Sequence, residues 1–207
     1  MDQAIEKILA EYHRRIEDER PRMDRARQEG KLGAIIDEFL LPVGPESGAL
    51  INILAKSLAK PTIVELGTSY GYSTVWLAEA ARASGGRVVT MELSDAKSAY
   101  ARERIGRAGL ADFVDFRVGD AVKLLGELPS GIDFVLVDLW KNLYVPCLEA
   151  FYAKLRSGAI VVSDNMIEPR TEHEAVMRYQ AAVRGKPKMT SVLVPVGSGL
   201  EISRFDA

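Results

Sequence analysis

One cysteine, Cys147, is all the thiol that this chain has. A lone cysteine forms no intramolecular disulfide framework and no cysteine-rich zinc site. Its place in an apolar helical pattern reads as a buried structural thiol, not a nucleophile. No apolar run approaches the ~20 residues that span a bilayer. Residues Met1 to Lys7 lack the apolar core of a secretion signal, so a cytoplasmic location is expected. Neither sign of charge dominates: 27 Lys and Arg stand against 29 Asp and Glu. The basic residues are scattered, apart from an acid-interleaved run between Arg14 and Arg27. Such a balance implies no general affinity for nucleic acid or anionic membranes. Internal repeats and low-complexity linkers are missing too. The 207 residues therefore suit a single domain of ordinary core size.

What is there is organised around Pro61 to Thr74. Thr62–Leu66 is a short apolar run rich in β-branched residues, the pattern of a buried strand. Gly67 and Gly71 follow, four apart, and then Ser73-Thr74 and a helical pattern from Val75. Strand, glycine turn and helix open a nucleotide-binding βαβ unit. The two glycines permit positive φ and let a ligand approach the backbone. The spacing departs from the dinucleotide pattern, which would require glycine where Ser69 and Tyr72 stand.

Upstream, Asp2 to Gln28 carries Ile5, Leu9, Tyr12 and Ile16 at helical spacing. Pro21 is expected to break or restart that helix. Residues 1–41 form a helical extension expected to pack on the domain, cover the site or meet a partner subunit. Short helices are expected at Ala34–Phe39 and Glu46–Ala59. Downstream, strands at Thr62–Leu66, Arg87–Glu92, Phe113–Val118, Asp133–Asp138 and Ala159–Ser163 alternate with helices at Thr74–Ala83, Asp95–Ala108, Ala121–Leu128 and Val145–Leu155. This alternation argues an α/β fold with a parallel, doubly wound sheet and helices on both faces. A helix at Thr171–Val183 and two runs, Thr190–Pro195 and Leu200–Phe205, joined by a glycine-bearing connection complete the chain. The expectation is one domain, with residues 42–207 as its core. Its sheet is seven-stranded and mostly parallel, with an antiparallel edge strand.

Ligands of open α/β sheets bind beyond the carboxyl ends of the strands. At those ends stand Glu65, Glu92, Asp120, Asp138 and Asp164-Asn165. Any one of these could be a helix cap. Five together repel unless ligands or cations occupy the edge. Glu92, at the end of the second strand, suits the ribose hydroxyls of an adenosine. Asp120 could reach the adenine amino group, with Ala121 lining the ring. Both NAD-type and S-adenosylmethionine-type ligands fit. Asp138, Asp164 and Asn165 are hard oxygen ligands that suit Mg²⁺ first, with Mn²⁺ or Ca²⁺ also compatible. Lys141, three residues past Asp138, reads either as a base beside a metal-bound substrate or as a solvated loop lysine.

The stretches Val64-Glu65-Leu66-Gly67 through Gly71-Tyr72-Ser73, Thr90-Met91-Glu92, Ala108-Gly109-Leu110, Val137-Asp138-Leu139-Trp140-Lys141 and Asp164-Asn165 resemble the cation-dependent O-methyltransferases. The catechol and caffeoyl-CoA O-methyltransferases belong to that group. The resemblance implies a Rossmann-like class I methyltransferase fold and S-adenosylmethionine as donor. It implies a divalent cation on Asp138, Asp164 and Asn165, and Lys141 as the catalytic base. It places Val43, Glu65, Gly67, Ser69, Ser73, Glu92, Asp120, Ala121 and Asp138 around the donor. A small aromatic hydroxyl compound is the implied acceptor, and a homodimer is an expectation from the family. Three positions depart from the catechol enzyme. Leu139 replaces a histidine, no Trp precedes the first strand, and no acid near Val192 matches the one that contacts the second hydroxyl. An NAD-dependent reductase and a non-catalytic methyltransferase-like binding domain are the rival readings. The turn spacing and the lack of a Tyr-x-x-x-Lys pair weigh against the first, and the intact Asp138, Lys141, Asp164 and Asn165 set against the second.

Overall fold

A computed structural model describes residues 1–207. The alternation read from the sequence is realised as a seven-stranded sheet. Its strands are β1 (Thr62–Leu66), β2 (Arg87–Glu92), β3 (Val114–Val118), β4 (Ile132–Val137), β5 (Leu155–Ser163), β6 (Met189–Val194) and β7 (Leu200–Phe205). Their order across the sheet is β3-β2-β1-β4-β5-β7-β6. β1 to β5 pair in parallel, whereas β7 runs antiparallel to both β5 and β6. The closing hairpin thus inserts its second strand between β5 and β6.

Neighbouring residues of a strand point to opposite faces, and each central strand here is apolar on both. Ile63, Val88, Phe134 and Ile160 belong to one apolar layer, together with α1 (Gln3–Gln28), α3 (Pro45–Lys56), α4 (Tyr72–Ser84) and α5 (Asp95–Arg107). Val64, Val89, Val135 and Val161 belong to the other. That layer includes α6 (Ala121–Glu127), α7 (Tyr144–Tyr152) and α8 (His173–Arg184). Continuous apolar strands covered on both faces are what a parallel sheet requires. Cys147 is buried in the second layer, as its surroundings in sequence imply.

α1 corrects one expectation. It runs unbroken through Pro21. Proline removes one intrahelical donor, and the carbonyl left without it belongs to Glu17, which is exposed to water. The apolar stripe of α1 is taken up inside the chain. Ile5, Ile8, Leu9 and Tyr12 are buried against α4 and α5. The short helix expected at Ala34–Phe39 is instead α2 (Leu32–Ile35) followed by a 3₁₀ turn at Ile36–Glu38.

A second correction concerns residues 153–158. The helix expected to reach Leu155 stops at Tyr152, and β5 starts at Leu155. Arg156 and Ser157, which follow buried Leu155 at the start of β5, are exposed and polar and give no strand pattern. What holds this corner is Lys154, whose Nζ donates to the carbonyls of Leu125, Gly126 and Leu128 at 2.5, 2.9 and 2.6 Å. It thereby satisfies the open carboxyl end of α6.

The closest backbone approach lies at the sheet's centre, where strand order reverses between β1 and β4. Gly67 has φ +100°, and a Cβ there would lie 1.9 Å from the Asp138 carbonyl oxygen. Gly67→Ala is therefore expected to destabilise the protein by more than about 2 kcal/mol, through clash and strained φ. Gly106 is exposed in the last turn of α5 with nothing within 4 Å of such a Cβ, so Gly106→Ala should stabilise by up to about 0.5–1 kcal/mol. Urea unfolding of both variants checks the pair. Equal effects of the same sign would contradict it.

Candidate active site

The turn after β1 is built around Glu65, whose carboxylate is wholly buried. Its Oε2 accepts from the hydroxyls of Thr74 and Thr90 at 2.6 and 2.5 Å. Thr90 Oγ1 lies 2.5 Å from that of Thr68. Glu65 Oε1 is buried with no hydrogen-bond partner. Burial lifts its pKa to about 7, against the pull of the Ser73, Thr74 and Thr90 hydroxyls and with a smaller push from Asp138. Gly67 and Gly71 both take positive φ, +100° and +92°, as the turn reading expects. Ser69 also does, at +47°.

Ser69 is held in that strained region by Glu92. The Ser69 N–H donates to Glu92 Oε2 at 2.8 Å, and the Ser94 N–H donates to Oε1 at 2.9 Å. One carboxylate at the end of β2 thus ties the β1 turn to the start of α5. Each oxygen keeps a lone pair for a further donor. Asp120 is the exposed N-cap of α6, accepting from the Lys123 N–H at 2.9 Å, with Ala121 beginning the helix. Ser73 is buried in the first turn of α4. Val43 is buried at the entry to α3, where a methyl on Gly197 of the β6–β7 loop would come within 3.2 Å of its carbonyl oxygen.

The second group forms where β4 and β5 end. Val137 pairs with Ser163, so Asp138 and Asp164 leave adjacent strands at the same level. The Asp164 N–H donates to the Val137 carbonyl at 3.1 Å. Asn165 follows in the left-handed region, at φ 58°. Burial raises the pKa of both acids; the charge of Asp138 raises that of Asp164 further, and Lys141 opposes both shifts. Asp164 Oδ1 is buried without any partner. Lys141 is 9 % exposed, which removes the solvated-loop reading. Its Nζ donates to the Tyr144 hydroxyl, to the Asp164 carbonyl at 3.1 Å and to Asn165 Oδ1 at 3.4 Å. Burial lowers its pKa to about 8, in spite of the nearby Asp138 and Asp164 charges.

Asp138, Lys141, Asp164 and Asn165 are therefore brought together, and Glu65 and Ser73 adjoin them across the β1–β4 boundary. Glu92 with Ser69 forms a neighbouring group, and Asp120 stands at the exposed mouth. No cluster of three or more His, Cys, Asp or Glu side chains capable of holding a metal exists in the chain. The candidate metal set is two carboxylates and an amide. The orphaned buried Oδ1 of Asp164 fits a hard cation, because a desolvated carboxylate oxygen without a donor is costly. Two cavities lie elsewhere. One, of about 330 Å³, lies between α1 and α5; the other, of about 250 Å³, lies at the amino ends of the strands. Neither contains any of these residues.

Two features escape a sequence reading. Thr74 and Thr90 look like ordinary helix and strand residues, yet they hold Glu65. Tyr144 looks like the start of an apolar helix, yet its hydroxyl meets Lys141.

A family model described as O-methyltransferase matches residues 36–205. The chain is 34% identical over 131 residues to a catechol O-methyltransferase of Niastella koreensis, covering 61% of this chain and 59% of that protein. The match thus spans less than two thirds of that relative's length. An O-methyltransferase of Bacillus cereus, solved in complex with SAH, superposes with a TM-score of 0.78 at 25% identity, covering 100% of this chain and 92% of that one. One from Streptomyces achromogenes involved in tomaymycin synthesis, solved in complex with SAM, gives 0.75 at 26% identity, covering 100% and 91%.

Glu65 generates a stability prediction. Its folded-state pKa of about 7 lies above the ordinary 4.5. The unfolded chain releases this proton first as pH rises, so stability falls between about pH 4.5 and 7. Glu65→Gln should leave stability unchanged at pH 4.5 and raise it at pH 7.5 by up to about 3 kcal/mol. Denaturant unfolding of donor-free, chelator-treated protein measures this. A variant less stable at both values would show that the shift is not carried by Glu65.

Proposed function

The chain belongs to the family of S-adenosylmethionine-dependent O-methyltransferases, and on that premise we propose that it works with a divalent cation on a small aromatic carrying adjacent hydroxyls. The observation that carries this reading is the pair of Asp164, buried, and Asp138, partly buried, with the unpartnered Asp164 Oδ1 and with Lys141 as its neighbouring amine. Asp138, Asp164 and Asn165 would hold the cation. What a bound divalent cation supplies is acidity, because it lowers the pKa of a hydroxyl ligated to it. Lys141 takes the hydroxyl proton at Nζ. The oxyanion so formed would accept the methyl group that a bound S-adenosylmethionine supplies, with the sulfur leaving as a neutral thioether. The donor is already activated, so the protein's task is positioning and electrostatics.

Glu92 holds the donor ribose in this reading, with Asp120 and Ala121 at the adenine. Val43, Glu65, Gly67, Ser69 and Ser73 surround the rest of the donor. The reductase reading loses support, because a pyrophosphate needs free amides in the turn and the Ser69 N–H is already given to Glu92. Glu92→Ala should cost about ten- to a hundredfold in S-adenosylmethionine affinity, read by calorimetric titration. Unchanged affinity would remove Glu92 from the donor site.

The test of the reaction is turnover of a catechol panel by chelator-treated protein, with and without added Mg²⁺. Full activity after chelation would sink the cation assignment. Lys141→Met should lower kcat by about 10²–10⁴-fold, the usual loss for a general base, with donor affinity little changed. Asp138→Asn weakens the cation site as well, so excess Mg²⁺ should partly rescue it and should not rescue Lys141→Met. Wild-type kcat in Lys141→Met would take the lysine out of the mechanism.

A further inference from the structure

We infer that Tyr144 is a positioning residue for Lys141, its buried hydroxyl holding the lysine Nζ at the Asp164–Asn165 edge. The inference rests on Lys141 being the base.

Tyr144 opens α7 three residues after Lys141, across a 3₁₀ turn that puts positions i and i+3 on one side. It is 0 % exposed. Its ring is set edge-on to Tyr179 at 5.2 Å between centroids. The Tyr179 hydroxyl is in turn 2.5 Å from Ser163 Oγ. The phenol therefore has little freedom to turn. Its single proton is donated to the Asp164 carbonyl at 3.1 Å, which leaves the oxygen an acceptor for Lys141.

Three acceptors surround Nζ: the Tyr144 hydroxyl, the Asp164 carbonyl and, at 3.4 Å, Asn165 Oδ1. They match the three N–H bonds that the lysine carries once it has taken a proton. Of the three, the Tyr144 oxygen is the one contributed by a side chain outside the acidic edge, and it fixes where Nζ sits. With phenylalanine at this position one acceptor is lost, and the amine rotates about its Cε–Nζ bond. The ring face 3.9 Å from Nζ survives that change, so Tyr144→Phe isolates the hydroxyl.

The test is a double-mutant cycle between Tyr144→Phe and Lys141→Met. Tyr144→Phe alone should lower kcat by about ten- to a hundredfold, the worth of one hydrogen bond to an ionised group. Acceptor KM and calorimetric donor affinity should stay near wild type. In the Lys141→Met background the added tyrosine change should have no further effect. A readout without turnover is the rate at which acetic anhydride labels Lys141 in chelator-treated, donor-free protein, followed by peptide mass spectrometry. Tyr144→Phe should raise that rate severalfold. An equal loss of kcat in both backgrounds, no loss in either, or an unchanged labelling rate would overturn the proposal. Wild-type kcat in Lys141→Met would instead overturn the base assignment beneath it, a result distinguishable from the others. Should Tyr144→Phe not fold, 3-fluorotyrosine at position 144 weakens the hydroxyl oxygen as an acceptor and keeps its shape. Its effect on kcat should likewise vanish when Lys141 is Met, and persistence there would overturn the proposal.

Discussion

Two carboxylates set side by side, Asp164 buried and Asp138 partly buried, are the constraint on which the rest of this molecule depends. Asp138 and Asp164 leave β4 and β5 at the same level because Val137 and Ser163 are paired, and one lysine stands with them. Removing two anions from water beside a single cation is unfavourable unless something else shares the charge. The upward shift of both acids and the downward shift of Lys141 express that conflict. A fold maximised for stability would not retain such a cluster. Shifted titratable groups gathered at one strand edge are the mark of a functional site.

The same point is where strand order reverses. β1 has β2 on one side and β4 on the other, and ligands of open α/β sheets enter at such reversals. Gly67 brings the β1 turn against the Asp138 backbone with no room for a side chain. The β1 turn and the acidic edge are thus in direct contact. α1 secures the opposite flank of that turn. The Tyr12 hydroxyl donates to the Tyr70 carbonyl at 2.5 Å, the Arg15 guanidinium lies 3.9 Å from the Tyr70 ring centroid, and Glu19 accepts from the Leu40 amide at 2.7 Å. The N-terminal helix therefore belongs to the support of the site, through packing within one chain.

Sequence pattern carried the sheet well, since doubly apolar strands and glycine turns are local signals. It carried the acidic edge too, because strand ends can be read from where apolar runs stop. The errors have physical causes. Pro21 does not end α1, because the carbonyl that it orphans belongs to an exposed residue and the helix is anchored by its first half. β5 starts early, because Arg156 and Ser157 near its start are exposed and its corner is held by Lys154 from outside the strand. Tyr144 and the threonines around Glu65 act through contacts between distant segments, and single-chain periodicity does not encode such contacts. Glu92 was legible as a strand-end acid, but its grip on the Ser69 and Ser94 amides depends on a turn geometry seen only in three dimensions.

The central claim is that the Asp138–Asp164 pair exists to hold a divalent cation. The most direct measurement is titration of Mn²⁺ into chelator-treated protein, followed by electron paramagnetic resonance, with Asp164→Asn run in parallel. One saturable site in the native protein, lost or strongly weakened in Asp164→Asn, is the expected result. No saturable binding at millimolar Mn²⁺, or equal binding by both proteins, would contradict it.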